Sequence, residues 1–456
     1  MDKWLEKDLR YIWHPYTQMK DCRDLPPLLI ARAKGIKLYD NRGAYYYDTI
    51  SSWWCNVHGH NHPKIKKAIQ KQLGSLDHVL FAGFTHKPAI LLAEKLVSLA
   101  PGKLAKVFFS DNGSTAVETA LKLSFQYWQN VGKKNKTKFI SLDHGYHGDT
   151  IGAMSVSGVS LFNEVFKPLF FDSIKVPSPY CYRCPMGRER TSCDLDCIKP
   201  LEIILAGRSS EVAGMILEPL VMAAGGMIVY PKEYLKAVAK LAGRYNIHLI
   251  LDEVATGFGR TGKMFACKHV NIRPDFMCLS KGITSGSLPL AATLTTDKIY
   301  DAFYADYAKG KTFFHGHTYT ANPIAVSCAL ANLQIFEDEN TLNKMQELIP
   351  LFYEGLERFK SLPLVGDVRR IGMIGALELV KNKDTKETFS PKERLGLVIY
   401  KEGLKKKLIL RPLGNVVYFF LPLCVKEREL SYILDNAYDI IEAASNKFGS
   451  SGIIRR

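Results

Sequence analysis

Short apolar runs alternate along the chain with longer stretches whose apolar positions recur every third or fourth residue. The short runs predict buried strands at 106–110, 138–142, 214–218, 247–252, 276–280 and 290–295. The longer stretches predict helices at 62–73, 88–99, 115–130, 232–245 and 322–336. Buried strands in alternation with helices predict an α/β domain with a largely parallel sheet, roughly residues 60–325. From about residue 338 the texture changes. A helix at 340–360 leads into LVGDVRRIGMIGALELV, Gly-spaced and alternating like an antiparallel hairpin. A helix at 391–404, two short strands around 408–421 and a last helix at 426–446 complete an α+β unit. The expected division is an N-terminal segment, 1–59, contributing to the small domain and the active site, a large domain, 60–325, and a smaller C-terminal domain, 326–456. The final SSGIIRR is expected to fray.

Composition narrows the possibilities. The formal net charge is +16, yet the basic residues are scattered, with short runs only at 133–138 and 405–407. No zinc-finger, RRM or basic-region pattern accompanies them, so a solvated basic surface is expected rather than a nucleic-acid site. No apolar stretch is long enough to span a membrane. The start, MDKWLEKDLRYIWHPY, has no apolar core and carries acids, unlike a secretory leader. Most of the ten cysteines sit singly among apolar residues, as in a reduced, cytoplasmic protein. Four of them, Cys181, Cys184, Cys193 and Cys197, form CxxC–x8–CxxxC. Four thiolates so spaced suit a structural zinc; the spacing equally suits a reduced surface loop between strands.

Ligands of open α/β sheets bind beyond the carboxyl ends of the strands, so the residues just past each predicted strand hold the candidate chemistry. After 106–110, Gly113-Ser114-Thr115 open a helix whose free N–H groups suit a phosphate, or merely an N-cap by Asn112 or Ser114. After 138–142, Tyr146 and His147 stand in the Gly-flanked GYHGDT, where the Tyr146 ring can lie on a flat ligand or pack within the loop. After 247–251 comes Asp252, a buried acid that needs a partner: a protonated ring nitrogen of a cofactor, or a helix or loop cap. GFGRTG (257–262) spells GxGxxG, but it stands apart from the strand and no helix pattern follows, so it is not a dinucleotide fingerprint. After 276–280, Lys281 stands among small residues. It is either a desolvated amine fit for a Schiff base or a snorkelling surface lysine. An amine for an aldehyde, an acid for a pyridinium, a stacking ring and a phosphate cup together describe a site for pyridoxal 5′-phosphate (PLP).

The segment ILDEVATGFGRTGKMFACKH, with PDFMCLSKGITSGSLPLAA after it, resembles the class III aminotransferases, which are fold-type I PLP enzymes. YIWHPYTQM, SSWWCNVHGHNHP, GYHGDTIGAMSVSG and LRPLGNVVYFFLP extend the resemblance over essentially the whole chain. They are similar to the branch that serves biotin biosynthesis. The resemblance implies a large domain with a mostly parallel sheet flanked by helices, plus a smaller α+β domain. It implies ping-pong conversion of 8-amino-7-oxononanoate to 7,8-diaminononanoate, with S-adenosylmethionine as amino donor, in a homodimer with shared active sites. It implies that Lys281 carries PLP as a Schiff base and moves the proton, with Tyr16 beside it in the catalytic set. Asp252 would hold the ring nitrogen, Gly113 and Ser114 the phosphate, and Tyr146 the ring face. Thr318 would reach the phosphate of the neighbouring subunit's cofactor. Tyr16, Trp53, Tyr146, Asp149 and Gly316 would line the substrate pocket, and Arg411 would grip a carboxylate. His317 stands where many adenosylmethionine users have Pro, and KTFFHGH is similar to relatives that use lysine as donor. His14, Tyr16 and Trp53 are similar to the adenosylmethionine type. A transaminase of the ornithine or 4-aminobutyrate type, and a non-catalytic binding protein on the same fold, are the other readings.

Overall fold

The structure is a computed structural model and describes residues 2–449; the SSGIIRR tail lies outside the described residues. Its centre is a seven-stranded sheet in the order Leu104–Ser110, Ala291–Thr296, Phe276–Leu279, His248–Asp252, Val212–Leu217, Lys138–Leu142, Ile174–Val176. The five strands from Phe276–Leu279 to Ile174–Val176 are mutually parallel. Ala291–Thr296 is antiparallel to both of its neighbours, so Leu104–Ser110 again runs with the majority. The carboxyl ends Ser110, Leu142, Leu217, Asp252 and Leu279 therefore share one rim. The reversed strand brings its beginning to that rim, with Ala291 opposite Ser110.

Strands Val212–Leu217, His248–Asp252 and Phe276–Leu279 are buried throughout. Burial on both faces explains why they read as unbroken apolar runs. The helix Gly113–Asn130 packs across the sheet with Ala116, Val117, Ala120 and Leu121 inward. Ile174–Val176 was not expected. Its pattern is Ile-Lys-Val, a half-buried edge strand that looks polar because of Lys175, whose amine turns back to Ser141 Oγ (2.8 Å) and the Ser155 carbonyl (3.1 Å).

The C-terminal unit forms its hairpin, Val365–Ile371 with Ile374–Leu379, and Val416–Phe420 joins as a third antiparallel strand. Of the two strands expected around 408–421 only this one forms. The stretch before it holds Pro412, which has no N–H for a ladder, and joins only through isolated bridges, Tyr47 to Leu408 and Leu413 to Val416. A small N-terminal sheet, Ile30–Lys34, Lys37–Asp40 and Tyr45–Tyr47, was likewise not expected. It leads directly into the C-terminal unit: Tyr47 N–H donates to the Lys407 carbonyl (2.8 Å) and Phe420 N–H to the Thr49 carbonyl (2.8 Å).

Candidate active site

A cavity of about 600 Å³ opens at the rim where the strands end. Gly113, Ser114, Tyr146, Asp149, Asp252 and Lys281 all line it. Asp252 and Lys281 come from adjacent parallel strands, with Asp252 paired to Cys278 three residues before the lysine. The 29-residue separation thus closes into one side of one pocket.

The helix Gly113–Asn130 starts at this rim, and Asn112, not Ser114, is its cap. Asn112 Oδ1 accepts from Thr115 N–H (3.1 Å), and Thr115 Oγ1 accepts from Asn112 N–H (3.1 Å). The N–H groups of Gly113 and Ser114 have no preceding carbonyl in the helix and face the cavity at the positive end of its dipole. A Cβ on Gly113 would stand 2.7 Å from Val254 Cγ1. A Cβ on Gly148, whose φ is +125°, would stand 2.1 Å from Ser114 Oγ. At these two positions a side chain would collide with the chain's own residues, so the start of the helix and the loop beside it come this close only with glycine.

Asp252 is 3% exposed. Its Oδ2 lies 2.7 Å from His147 Nδ1, and its Oδ1 accepts the Val254 N–H at 3.1 Å. One oxygen thus caps the following loop, the second of the two expected uses, while the other meets the imidazole of His147. Lys281 sits in left-handed backbone, φ 45°, and its Nζ stands 4.6 Å from the centre of the Trp54 ring. Burial lowers its pKa, partly opposed by the nearby charge of Asp252. It is not a snorkelling surface lysine.

From Tyr146 and Asp149 in the cavity lining a chain of contacts runs outward. The Tyr16 hydroxyl donates to Asp149 Oδ1 (2.7 Å) and stands 3.4 Å from the Tyr146 hydroxyl. Burial, and then Asp149, push the Tyr16 hydroxyl up to about 12. Tyr16 meets Trp53 edge to face at 5.5 Å, and the Arg411 guanidinium lies 4.8 Å from the Trp53 ring. Trp53 and Trp54 belong to a run, Ser51 to Trp54, with φ between 46° and 73°. Left-handed backbone costs a side-chain-bearing residue about 1–2 kcal/mol, so this turn is held by its surroundings.

Tyr16, Trp53, Arg411, Gly316 and Thr318 are exposed and lie outside the cavity lining of their own chain. His317 Nδ1, beside Thr318, lies 2.9 Å from Asp111 Oδ2 at the cavity edge. Two residues were passed over in the sequence. His147 was noted only as a neighbour of Tyr146. Glu218, at the end of the strand expected at 214–218, is fully buried. It accepts from the N–H groups of Tyr146 (3.0 Å) and Ala223 (2.9 Å). Burial, followed by repulsion from Asp252, pushes its carboxyl up to about 8. An acid closing an apolar strand is the same signal that marked Asp252.

All ten cysteines are unpaired. Cys181, Cys184, Cys193 and Cys197 line one small cavity in the loop between Ile174–Val176 and Val212–Leu217. Among the described residues no group of three or more His, Cys, Asp or Glu side chains is arranged to hold a metal ion.

The pattern of the family described as aminotransferase class-III matches residues 19–441. The adenosylmethionine-8-amino-7-oxononanoate aminotransferase of Geobacter sulfurreducens is 48% identical over 429 residues, 94% of this chain and 95% of the relative. The protein of the same name from Methanocaldococcus jannaschii is 45% identical over 455 residues, 97% of this chain and 98% of the relative. A crystal structure of the M. jannaschii enzyme matches with a TM-score of 0.92 at 44% identity, covering 96% of this chain and 98% of that one. The omega transaminase of Pseudomonas jessenii in complex with PMP matches with a TM-score of 0.92 at 33% identity, covering 98% and 99%. The chain belongs to the class III aminotransferases, and the expected fold class, a mostly parallel sheet flanked by helices with a smaller α+β unit, is the one observed.

Proposed function

We propose that this aminotransferase converts 8-amino-7-oxononanoate to 7,8-diaminononanoate in biotin biosynthesis, with S-adenosylmethionine as amino donor and PLP as cofactor. The observation that carries the reading is that Lys281 and Asp252 line one cavity, in a chain 45–48% identical to relatives bearing that name. The donor set fits PLP: an amine, a buried acid, an aromatic ring, and a helix N-terminus walled by two glycines that a Cβ would obstruct. PLP, when bound, supplies the electron sink that lets an amine-bearing carbon lose its proton.

The residues then divide the work. Lys281 holds the cofactor and, with its pKa lowered by burial, takes and returns the proton at the substrate carbon. Asp252 keeps the ring nitrogen protonated, and His147 orients Asp252. Gly113 and Ser114 bind the phosphate through backbone N–H groups. Tyr146 covers the ring, its own backbone anchored by Glu218. Tyr16, Asp149 and Trp53 form the substrate wall, an acid and aromatic faces that suit a cationic sulfonium donor. Arg411, over Trp53 at the outer end, suits the substrate carboxylate. Exposure of Gly316 and Thr318 supports a homodimer in which they complete the partner's site. No helix among the described residues is long and apolar enough to cross a membrane, and we take the partners to be small molecules rather than nucleic acid, in the cytoplasm.

The test mixes the cofactor-loaded enzyme separately with S-adenosylmethionine, lysine and ornithine, and follows absorbance from the aldehyde to the amine form of the cofactor. Conversion by S-adenosylmethionine, followed by amination of 8-amino-7-oxononanoate, is expected. Conversion by lysine alone replaces the donor; conversion by ornithine alone overturns the biotin assignment.

A further inference from the structure

Lys281 opens one short turn of 3-10 helix, Lys281–Thr284. Two left-handed residues that are not glycine bound it: Lys281 itself, φ 45°, and Ser285, φ 52°. Backbone of this kind persists only where neighbours over-determine it. Phe258 is one such neighbour, packed so closely that a Cβ on Gly282 would stand 3.0 Å from Phe258 Cβ. At the end of the turn, Ser285 Oγ accepts the N–H groups of Val57 (2.9 Å) and His58 (3.0 Å).

The remaining hold comes from the helix Pro323–Asp338, which packs against the turn. Asn332, in the middle of that helix, is fully buried and is not among the residues lining the cavity. Its Nδ2 donates to the carbonyls of Gly282 (2.9 Å) and Ile283 (3.0 Å). Its own backbone carbonyl stands 3.2 Å from His58 Nε2, so the segment that meets Ser285 meets this helix as well. Asparagine is a poor helix former. Its Oδ1 has no hydrogen-bond partner among the described residues, and a buried acceptor left unpaired lowers stability. What the amide adds is two N–H groups on one nitrogen, one for each of the two carbonyls that directly follow Lys281. Both carbonyls belong to buried residues, where a backbone acceptor needs a partner.

We propose that Asn332 is a positioning residue of the transamination site: through the carbonyls of Gly282 and Ile283 it fixes the left-handed turn from which Lys281 presents its amine to the cavity. The inference rests on Lys281 being the reacting amine. Misplacing a reacting group by about 1 Å costs roughly 10²-fold in rate, so Asn332 governs turnover without touching the substrate.

Asn332→Leu nearly keeps the volume and removes both donors. Leu333→Ala is the control: it trims a buried apolar side chain one position along the same helix and leaves the amide in place. Both should lower the urea midpoint. PLP is then added to the cofactor-free proteins and borohydride stops the reaction at timed intervals; the mass fixed on the protein gives the rate at which the amine captures the cofactor. That rate should fall about tenfold in Asn332→Leu and stay within about twofold of wild type in Leu333→Ala. In the loaded enzyme, kcat of Asn332→Leu should fall about 10- to 100-fold, with the KM for 8-amino-7-oxononanoate within about twofold of wild type. Wild-type capture and kcat in Asn332→Leu overturn the proposal. Equal losses in the two variants also overturn it, since they would make the amide a matter of stability alone. Should Asn332→Leu fail to fold, Asn332→Ser leaves one donor for two carbonyls; its kcat should fall about threefold or more at unchanged KM, and a wild-type kcat overturns the role. If the wild-type enzyme uses none of the donors, the assignment of function fails, while the contrast in capture rate still tests the hold on Lys281.

Discussion

His147 Nδ1 and Asp252 Oδ2 meet at 2.7 Å on the floor of the cavity, both side chains buried. The second carboxylate oxygen is taken by Val254 N–H, so the chain holds Asp252 rigidly before any ligand arrives. Removing one partner of a buried hydrogen bond to a charge leaves that charge under-satisfied, at about 1–3 kcal/mol. His147→Phe should destabilise the cofactor-free protein by that amount in urea unfolding and weaken PLP binding about tenfold. In a double-mutant cycle with Asp252→Asn the two effects should be non-additive, because both act through one bond. Additive losses would mean that His147 does not act through Asp252.

Lys281→Ala tests the amine directly. Borohydride reduction of the wild-type enzyme should fix the mass of the cofactor on the protein. The variant should bind PLP only reversibly and gain no mass. Transamination should fall by at least about 10³-fold, within the range for loss of a positioned proton-transfer group. A variant that still turns over at near wild-type rate would move the chemistry to another residue.

Much of this arrangement is legible in the sequence, for a definite reason. Strands such as 138–142 and 276–279 are largely buried on both faces, so their apolar runs end where the sheet ends, and the candidate site residues follow within a few positions. Helix Gly113–Asn130 begins two residues earlier than expected because Asn112 takes the cap. What stayed hidden depends on distant contacts. Nothing in Ser-Ser-Trp-Trp announces a left-handed turn, since no glycine marks it. Arg260 reads as a loop residue until its acceptors on Ser51, Trp54, Asn56 and Leu421 are seen together. Lys175 makes Ile174–Val176 look polar because the residues that satisfy its amine lie elsewhere in the chain.

Arg411 carries the next prediction. It is exposed, with its guanidinium over Trp53, a setting in which a planar fork can accept a carboxylate with little reordering. A charge-assisted hydrogen bond contributes about 1.5–3 kcal/mol, so Arg411→Met should raise the KM for 8-amino-7-oxononanoate roughly 10- to 100-fold and change kcat little. Arg411→Lys should recover only part, because an ammonium presents no fork. Steady-state kinetics with the acceptor varied at saturating donor decides it; an unchanged KM in Arg411→Met would remove the residue from the substrate site.

Acid stability should report on His248, which is not among the residues lining the cavity. Its ring stacks on Trp128 (4.6 Å, 25°), meets Phe276 edge-on, and places Nδ1 2.8 Å from Ser124 Oγ. Burial pushes its pKa down to about 3, and burial does the same to His58, whose Nε2 lies 3.2 Å from the Asn332 carbonyl. The folded protein therefore keeps both rings neutral while the unfolded chain protonates near 6.5. Below pH 6.5 the unfolded state binds more protons, so each histidine removes stability as pH falls toward 3 and contributes no pH dependence well above 6.5. Between pH 6.5 and 5 the loss is roughly 1.5 kcal/mol per histidine. Glu218 works in the other direction: with its carboxyl raised to about 8, the folded state holds a proton that the unfolded chain releases above about 4.5, so its contribution declines as pH rises. The two tendencies separate in a difference measurement. His248→Gln should lower stability at every pH, yet its loss between pH 6.5 and 5 should be smaller than the wild type's by roughly 1.5 kcal/mol, read from urea midpoints of the cofactor-free protein. Parallel pH profiles for the two proteins would show that His248 is already protonated, or solvated, in the folded core.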